Sequence, residues 1–405
     1  MKVLLSEGSC RRSGRRGTVV VPFDRLLTEV DAVPVGALVH GCVALLGGDR
    51  PTLGVGLVRR RHDRGVPGPG RVHVRTAGPD RDSCDGNVPE VDMTTDDIPH
   101  GLHHVTAIAG DPQRNADFYT SVLGLRLVKR TVNFDAPQVH HLYYGDGAGR
   151  PSTLLTFFPW PGVRPGRQGA GLTTSTAFGI PPESLGWWRT RLAGLGVDAD
   201  APVTRDGEES LTLRDPDGLV VELVAAPGDH RSGWDGSGSV PAEHAVRGLH
   251  AVTLSEEQAE PTQRMLTELG LSHAGDDGAR SRFTAPGPAA TTVDVVGGVS
   301  GQGLQAGGTV HHIAFRVADR AAQERWRAEL VERGLDVTAV LDRQYFTSIY
   351  FREPGGVLFE IATDGPGFDV DEPLLELGRT LRLPPWLEPD RATIEANLPP
   401  VTVGG

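Results

Sequence analysis

The chain has 405 residues, a formal net charge of -12 and a mean hydropathy of -0.22. This length is enough for two or more domains that each bury a core. The acidic balance gives no electrostatic support to a nucleic-acid or anionic-membrane partner, and no segment reaches the roughly 20 apolar residues of a membrane-spanning helix. We therefore expect a soluble, cytoplasmic protein whose oligomeric state is open, a homo-oligomer included.

The first 92 residues differ in composition from the rest of the chain. They contain all three cysteines but only one aromatic residue, Phe23, and they are rich in Arg, Gly and Pro. Such a segment has too few large apolar groups to offset the entropy cost of ordering. We expect residues 1–92 to be a low-complexity, mostly disordered extension. Two interpretations stay open: a functional chain that begins at Met93, or a mobile tail with a role of its own.

From residue 101 the chain reads as four repeats of a βαβββ module. Each repeat has a short strand, a helical segment that ends near a glycine, and β-branched runs that follow turns. One such module leaves an apolar sheet face uncovered, so we predict an α+β fold in which four modules pair into two curled-sheet lobes. The predicted helical segments are 111–125, 182–197, 256–271 and 319–335. The predicted boundaries are modules 1 and 2 at 99–227, a linker at 228–247, modules 3 and 4 at 248–364, and a C-terminal tail at 365–405 packed on the lobes.

Aligning the four repeats gives two columns of residues that can face a shared cavity. The opening-strand column holds His104, Ser175, Ala251 and His312, and the last-strand column holds Thr156, Glu222, Asp294 and Glu360. Only the pairing of module 1 with module 4 brings two imidazoles and a carboxylate together. That set, His104, His312 and Glu360, is typical of non-haem Fe(II) oxygenases and leaves positions open for substrate and O₂. A chance register of three polar residues is the weaker interpretation, because a buried unpaired Glu360 would be costly.

Some polar residues near these columns receive a structural interpretation, and for others the strand pattern indicates only which face they point to. His140 and His141 form a third histidine pair but have no place in the ligand columns, and we expect them to be structural, as are Glu222 and Asp294. Thr106 lies two residues after His104, so strand alternation sends it to the same face. Alternation points His103 and His311 away from the ligands unless a bulge turns them back.

Several stretches carry a resemblance to a known family. The repeats and the segments "HHVTAIAGD", "FYTSVLGL" and "LFEIATDGPGF" resemble the vicinal oxygen chelate superfamily, which includes glyoxalases, bleomycin-resistance proteins and extradiol dioxygenases. The segments "LGLRLVKRTVNFD", "HLYYGD", "LLTFFPWPG" and "DEPLLELGRTLRLPPWLEP" are similar to the branch of ring-cleaving dioxygenases that act on hydroquinones. The resemblance runs from about residue 99 to the end and leaves the first 92 residues unmatched.

The resemblance implies a site and a reaction. Its iron ligands fall on His104, His312 and Glu360, and the groups around the iron fall on His103, Thr106, His311, Arg343 and Tyr350. The implied cofactor is Fe(II), with Mn(II) as an alternative, and no organic cofactor is implied. The implied reaction inserts both atoms of O₂ into a small aromatic diol of the hydroquinone type. Arg343 and Tyr350 would hold a phenolate oxygen and position the ring.

Three other functions stay open at this point. A catechol-cleaving extradiol dioxygenase of the more usual arrangement would place its ligands in modules 3 and 4, where Ala251 stands. A glyoxalase-like metal-dependent isomerase would fill the fourth corner with a carboxylate or an imidazole, where Thr156 stands. A metal-free binding module would have no reason to keep the complete triad.

Overall fold

The computed structural model describes residues 98–236, 240–287 and 291–402. Within these ranges the chain forms sixteen strands in two eight-stranded sheets, with helices between the strands. The extension predicted at residues 1–92 lies outside the described residues.

The helices and strands follow each other in four modules. Module 1 comprises β1 (Leu102–Ala109), α1 (Pro112–Asp117, continued by a π-helical turn Phe118–Val122), β2 (Arg126–Asn133), β3 (Ala136–Gly145) and β4 (Leu154–Pro159). Module 2 comprises β5 (Leu172–Ile180), α2 (Leu185–Gly194), β6 (Val203–Arg205), β7 (Glu208–Arg214) and β8 (Val220–Ala225). Module 3 comprises β9 (Gly248–Ser255), α3 (Glu260–Glu268), β10 (Ser272–Asp277), β11 (Arg280–Thr284) and β12 (Thr292–Val296). Module 4 comprises β13 (Thr309–Val317), α4 (Arg320–Glu332), β14 (Leu341–Asp342), β15 (Thr347–Arg352) and β16 (Leu358–Thr363). The tail contains α5 (Arg391–Asn397), and short 3₁₀ turns lie at Pro182–Ser184, Ala242–His244, Phe368–Val370, Leu374–Glu376 and Glu388–Asp390.

The first and last modules share one sheet, and the two middle modules share the other. The first sheet has the order β14-β15-β16-β13-β1-β4-β3-β2, and the second has the order β10-β11-β12-β9-β5-β8-β7-β6. The modules join through the antiparallel pairs β1 with β13 and β5 with β9. The predicted α+β fold of four paired modules is therefore confirmed, including the pairing of module 1 with module 4.

Two of the helices, α1 and α4, begin at an aspartate cap, and α2 and α4 each bury one face. Asp111 accepts a hydrogen bond from the Arg114 amide at the start of α1, and Asp319 does the same for the Ala322 amide at the start of α4. The inner faces carry large apolar side chains, such as Trp188 of α2 and Trp326 of α4, which pack in the main core. None of the helices in the described ranges is long and apolar enough to cross a membrane.

Each strand that opens a module contains one extra residue where it pairs with its neighbour. In the pairing of β1 with β13, Leu102 faces Phe315 and His104 faces Ala314, so His103 is the additional residue. On the other strand Thr106 faces His312 and Ala107 faces Val310, so His311 is additional. A bulge of this kind bends the strand and changes where its side chains point. The second sheet has the same two bulges, at Thr174 and His250.

The C-terminal tail is tied to the first sheet by a buried lysine. Lys129 of β2 is fully buried, and its ammonium donates to Asp371 Oδ1 at 2.7 Å, to Glu372 Oε2 at 2.5 Å and to the Phe368 carbonyl at 3.0 Å. Tail residues Phe368 and Leu377 join a buried cluster on the first sheet, whose other members are Val128, Tyr143, Leu154, Ala314, Tyr345, Phe346 and Ala362.

Candidate metal centre

The structure brings together three residues from the first and last modules, His104, His312 and Glu360. The two imidazole Nε2 atoms are 3.2 Å apart, and Glu360 Oε2 lies 3.4 Å from His104 Nε2 and 3.0 Å from His312 Nε2. All three side chains are at most 4% exposed. They form the one cluster of three or more potential metal-ligating side chains found among the described residues.

The donor set fits a divalent cation. Ligand atoms about 2.0 to 2.2 Å from one metal, at angles of roughly 90 to 110°, lie about 2.8 to 3.6 Å from each other, and the three observed distances fall in this range. Glu360 Oε2 is buried, and the polar atoms beside it among the described residues are the two imidazole Nε2 atoms, so a cation held between all three would satisfy it. That these residues hold a metal stays a prediction.

The charge states of Glu360 and His312 also suit a metal. Burial acts to raise the pKa of Glu360, but the charges and hydrogen bonds of His104 and His312 outweigh it and hold that pKa well below its usual value. The pKa of His312 is lowered, chiefly by burial. Ionised carboxylate and neutral imidazole are the forms that bind metal ions.

The two bulge histidines, His103 and His311, each contact the Nδ1 atom of the next residue, His104 or His312. His103 Nδ1 lies 2.9 Å from His104 Nδ1, and His311 Nδ1 lies 2.8 Å from His312 Nδ1. Burial lowers the pKa of His103 well below its usual value and that of His311 to about 3, so both rings are neutral. A hydrogen bond at Nδ1 fixes ring orientation and leaves Nε2 for the metal. Alternation alone, which points His103 and His311 away from the ligands, is overridden here by the bulges.

Three hydroxyl groups lie around the cluster, and one of them orients the Glu360 carboxylate. Ser348 Oγ donates to Glu360 Oε1 at 2.5 Å, which leaves Oε2 towards the imidazoles. Thr106 Oγ1 lies 2.7 Å from Thr156 Oγ1. Thr156 stands directly beside Thr106 in the parallel pairing of β1 with β4, so the fourth corner of the cluster carries a hydroxyl and no strong ligand.

Arg343 and Tyr350 lie together beside His312. The Arg343 guanidinium is 5.3 Å from the centre of the Tyr350 ring and forms an ion pair with Asp135 at 3.1 Å. The Tyr350 ring is 5.6 Å from the His312 ring. Burial raises the pKa of Tyr350 above its usual value, although Arg343 opposes this, so the phenol keeps its proton. Both residues are only partly buried, which leaves them accessible to a ligand.

The aromatic surroundings differ on the two sides of the cluster. Phe346 packs against the rings of His103 and His104, with centres 5.0 and 5.2 Å apart, and it belongs to the buried cluster under the tail. Phe158 is partly exposed and contacts the rings of His141 and His311. The side of the cluster near Phe158, Arg343 and Tyr350 is therefore the more accessible one.

His140 and His141 lie on opposite faces of the sheet, and the structural interpretation of both stays a prediction. The His140 ring lies 2.8 Å from the Pro399 carbonyl and binds the tail. His141 Nε2 lies 2.9 Å from Thr156 Oγ1, on the face that carries the metal cluster. The two histidines differ because adjacent residues of β3 point to opposite faces. Their alternation relative to Thr156 is the sequence signal that could have placed His141 on the face of the candidate metal centre. Tyr143 and Ser348 were also missed, because a lone hydroxyl in a strand carries no distinctive pattern.

The matching positions of the second sheet are occupied by ion pairs. Asp294 accepts from Arg280 at 2.7 Å and from Arg282 at 2.8 Å, and Glu222 lies 3.6 Å from Arg205. Ser175 and Ala251, in the opening column, offer no imidazole. Guanidinium groups thus neutralise the carboxylates there, in agreement with the structural interpretation of Glu222 and Asp294.

Comparison with known proteins gives one family and several relatives. The profile described as "Glyoxalase/Bleomycin resistance protein/Dioxygenase superfamily" matches residues 101–223 and 248–361. "Putative ring-cleaving dioxygenase MhqO" of Bacillus subtilis is 42% identical over 304 residues, which cover 75% of this chain and 97% of that protein. "Chlorohydroquinone/hydroquinone 1,2-dioxygenase" of Sphingobium indicum is 36% identical over 303 residues, covering 71% of this chain and 92% of that protein.

Solved structures show the same architecture. The crystal structure of a "putative dioxygenase" from Bacillus subtilis is 41% identical, with a TM-score of 0.74, and the match covers 76% of this chain and 99% of that one. Glyoxalase I from Zea mays is 16% identical, with a TM-score of 0.51 and coverage of 65% and 92%, which shows a likeness of fold alone.

Proposed function

This chain belongs to the glyoxalase/bleomycin resistance protein/dioxygenase superfamily, and from that premise we propose that it is an Fe(II)-dependent ring-cleaving dioxygenase acting on hydroquinone-type aromatic diols. The observation that carries the proposal is the convergence of His104, His312 and Glu360 on one point. The relatives named as ring-cleaving and hydroquinone dioxygenases support the reaction class and the substrate class.

His104, His312 and Glu360 would hold the metal. Fe(II) bound there would keep a net positive charge, which favours binding of a phenol as phenolate, and would pass electrons from the bound ring to O₂. Mn(II) suits the same ligands, since imidazole and carboxylate accept several divalent ions.

The protein contributes orientation and charge around that point. His103 and His311 hold the two imidazoles through Nδ1, and Ser348 holds the carboxylate. Arg343 is a cation on the accessible side, where it would attract a phenolate oxygen. In a hydroquinone the two hydroxyls are para, so only one can reach the metal. The second needs a protein partner, and Arg343 and Tyr350 are placed to provide it.

Oxygen uptake distinguishes this proposal from its alternatives. The full chain would be loaded anaerobically with Fe(II) or Mn(II), then exposed to O₂ with chlorohydroquinone, methylhydroquinone, catechol or a hemithioacetal. We expect one O₂ consumed per hydroquinone. Uptake with catechol alone would refute the substrate class, and conversion of the hemithioacetal without O₂ would refute the reaction class.

Glu360→Gln provides the site test, and Glu222→Gln provides its matched control. Both change a carboxylate in the last strand of a module, but only Glu360 lies in the cluster of potential ligands. We expect Glu360→Gln to abolish hydroquinone-dependent uptake and Glu222→Gln to retain it. Equal loss in the two variants would contradict the assignment of the site.

A further inference from the structure

Four polar side chains form a continuous hydrogen-bonded chain on the inner face of the first sheet. The Tyr143 hydroxyl lies 2.7 Å from His141 Nδ1, and His141 Nε2 lies 2.9 Å from Thr156 Oγ1. Thr156 Oγ1 in turn lies 2.7 Å from Thr106 Oγ1. Thr106 faces His312 across the β1 and β13 pairing, so the chain ends beside the candidate metal centre.

The Tyr143 end sets the direction of the first hydrogen bond. Tyr143 is 1% exposed, and burial raises its pKa well above the usual value, so the hydroxyl keeps its proton. Among the described residues, its hydroxyl has no hydrogen-bond partner other than His141 Nδ1. If His141 Nδ1 carried the hydrogen, the Tyr143 hydrogen would be buried without an acceptor, which is unfavourable. Tyr143 therefore donates, and His141 Nδ1 accepts.

The direction of the first hydrogen bond determines the direction of the second, between His141 and Thr156. Burial lowers its pKa well below the usual value, as do the charges of nearby residues, so the ring is neutral and carries one hydrogen. The titratable groups that act on it are His104, His312, Arg343 and Glu360, of which only Glu360 favours protonation, together with its hydrogen-bonded partner Tyr143. Since Nδ1 accepts, the single hydrogen is on Nε2, and His141 donates to Thr156.

At the Thr106 end of the chain, one hydroxyl hydrogen has no acceptor in the described part of the protein. Thr156 accepts from His141, and its own hydroxyl hydrogen has Thr106 Oγ1 as its acceptor. Thr106 is fully buried, and its only hydrogen-bond partner in the described part of the chain is Thr156. The Thr106 hydrogen is therefore left without a protein acceptor.

We propose that His141 is a positioning residue that, through Thr156, makes the Thr106 hydroxyl a hydrogen-bond donor to an anionic oxygen of a ligand bound beside His104 and His312. The ligand class is a phenolate. This inference rests on the proposed function, and it deepens that function by assigning the direction of the hydrogen bonds. His141 also contacts the rings of Tyr143 and Phe158, at 3.9 and 4.3 Å, so a test must separate its hydrogen bonds from its packing.

Two substitutions at one position achieve that separation. In His141→Gln the side-chain amide can donate near the place of Nε2, whereas His141→Leu retains bulk without a donor. His140→Leu is the matched control, because it removes the neighbouring imidazole, which binds the Pro399 carbonyl on the other side of the strand.

The first readout is the binding of 4-nitrophenol to the full chain loaded with Zn(II), which is redox-inert. A hydrogen bond to a charged oxygen is worth about tenfold to a hundredfold in affinity. We expect His141→Leu to weaken binding of the phenolate by that factor, because Thr156 is then free to accept the Thr106 hydrogen. His141→Gln and His140→Leu should stay within about threefold of the unsubstituted protein. Equal weakening by Gln and Leu at position 141 would overturn the proposal, since packing alone would then explain the effect.

The second readout needs neither metal nor substrate. Selective ¹⁵N labelling of histidine, with assignment by His141→Gln, reports by NMR which ring nitrogen of His141 carries the hydrogen. We expect Nε2–H, and Nδ1–H would overturn the proposed direction. Absence of Zn(II) or 4-nitrophenol binding by the unsubstituted protein would instead count against the proposed function, while the NMR result would still decide the direction of the chain.

Discussion

Replacing Glu256 by Gln should make the protein more stable at alkaline pH. Glu256 follows β9 of the second sheet and Glu353 follows β15 of the first, and they are 1% and 2% exposed. Glu353 accepts hydrogen bonds from Thr262 Oγ1 at 2.7 Å and from the Gly355 and Val357 amides at 2.8 Å. Glu256 Oε1 has no such partner within the described ranges. Burial and the charge of Glu353 raise the pKa of Glu256 to about 8.

The sign of the effect follows from proton linkage. Between its unfolded pKa near 4.5 and its folded pKa near 8, Glu256 holds a proton only in the folded state. Its contribution to stability is therefore complete below the unfolded pKa and is lost as pH rises to about 8. Each tenfold change in proton affinity corresponds to about 1.4 kcal/mol, which sets an upper limit of about 5 kcal/mol. We expect about 2 kcal/mol after local relaxation and solvent screening.

Urea denaturation with a metal chelator, at pH 4 and pH 9, measures this linkage. Gln resembles the protonated carboxyl, so Glu256→Gln should match the unsubstituted protein at pH 4, below the unfolded pKa, and exceed its free energy of unfolding by about 2 kcal/mol at pH 9. Exposed Glu257 provides the control, and Glu257→Gln should show no such difference. A difference between Glu256→Gln and the unsubstituted protein that does not change with pH would refute the reasoning.

Three further predictions concern the metal centre, the tail and the accessible side of the site. His311→Asn removes the partner of His312 Nδ1 and should lower Mn(II) affinity by about tenfold to a hundredfold, measured by electron paramagnetic resonance. His250→Asn, at the matching bulge of the second sheet, should leave that affinity unchanged. Lys129→Met leaves the buried Glu372 carboxylate without its ammonium partner and should reduce the free energy of unfolding by about 3 to 5 kcal/mol. Adding Glu372→Gln to Lys129→Met should restore the free energy of unfolding, because it removes the unpaired charge. A double variant as unstable as Lys129→Met would contradict this account. Arg343→Gln should raise the KM for hydroquinone about tenfold without changing Mn(II) affinity, and an unchanged KM would remove Arg343 from substrate binding.

The module architecture and the two residue columns could be predicted from the sequence because the repeats preserve their spacing. In each module the last-strand residue pairs with the residue two positions after the opening-column residue, as Glu360 does with Ala314 and Thr156 with Thr106. This regular spacing can be seen in the sequence before it is known which strands pair.

The bulges, by contrast, could not be predicted. Whether His103 is the extra residue depends on how β1 pairs with a strand about two hundred residues later, and a local period of two contains no information on that register. The anchoring of the tail by Lys129 could not be predicted for a similar reason, because Lys129 contacts Glu372 only after β2 and the C-terminal tail have folded onto the same sheet.

The division of the chain between its two sheets has a consequence for synthesis on the ribosome. The second sheet is built from adjacent modules, so it can close as soon as β12 has emerged. The first sheet needs β13, and His312 lies 208 residues after His104. Until then β1 has an unpaired edge, the kind of surface that recruits other nascent chains or a chaperone. The candidate metal centre can therefore form only late in synthesis, after β13 and β16 have emerged, whereas the second sheet is complete before either of them.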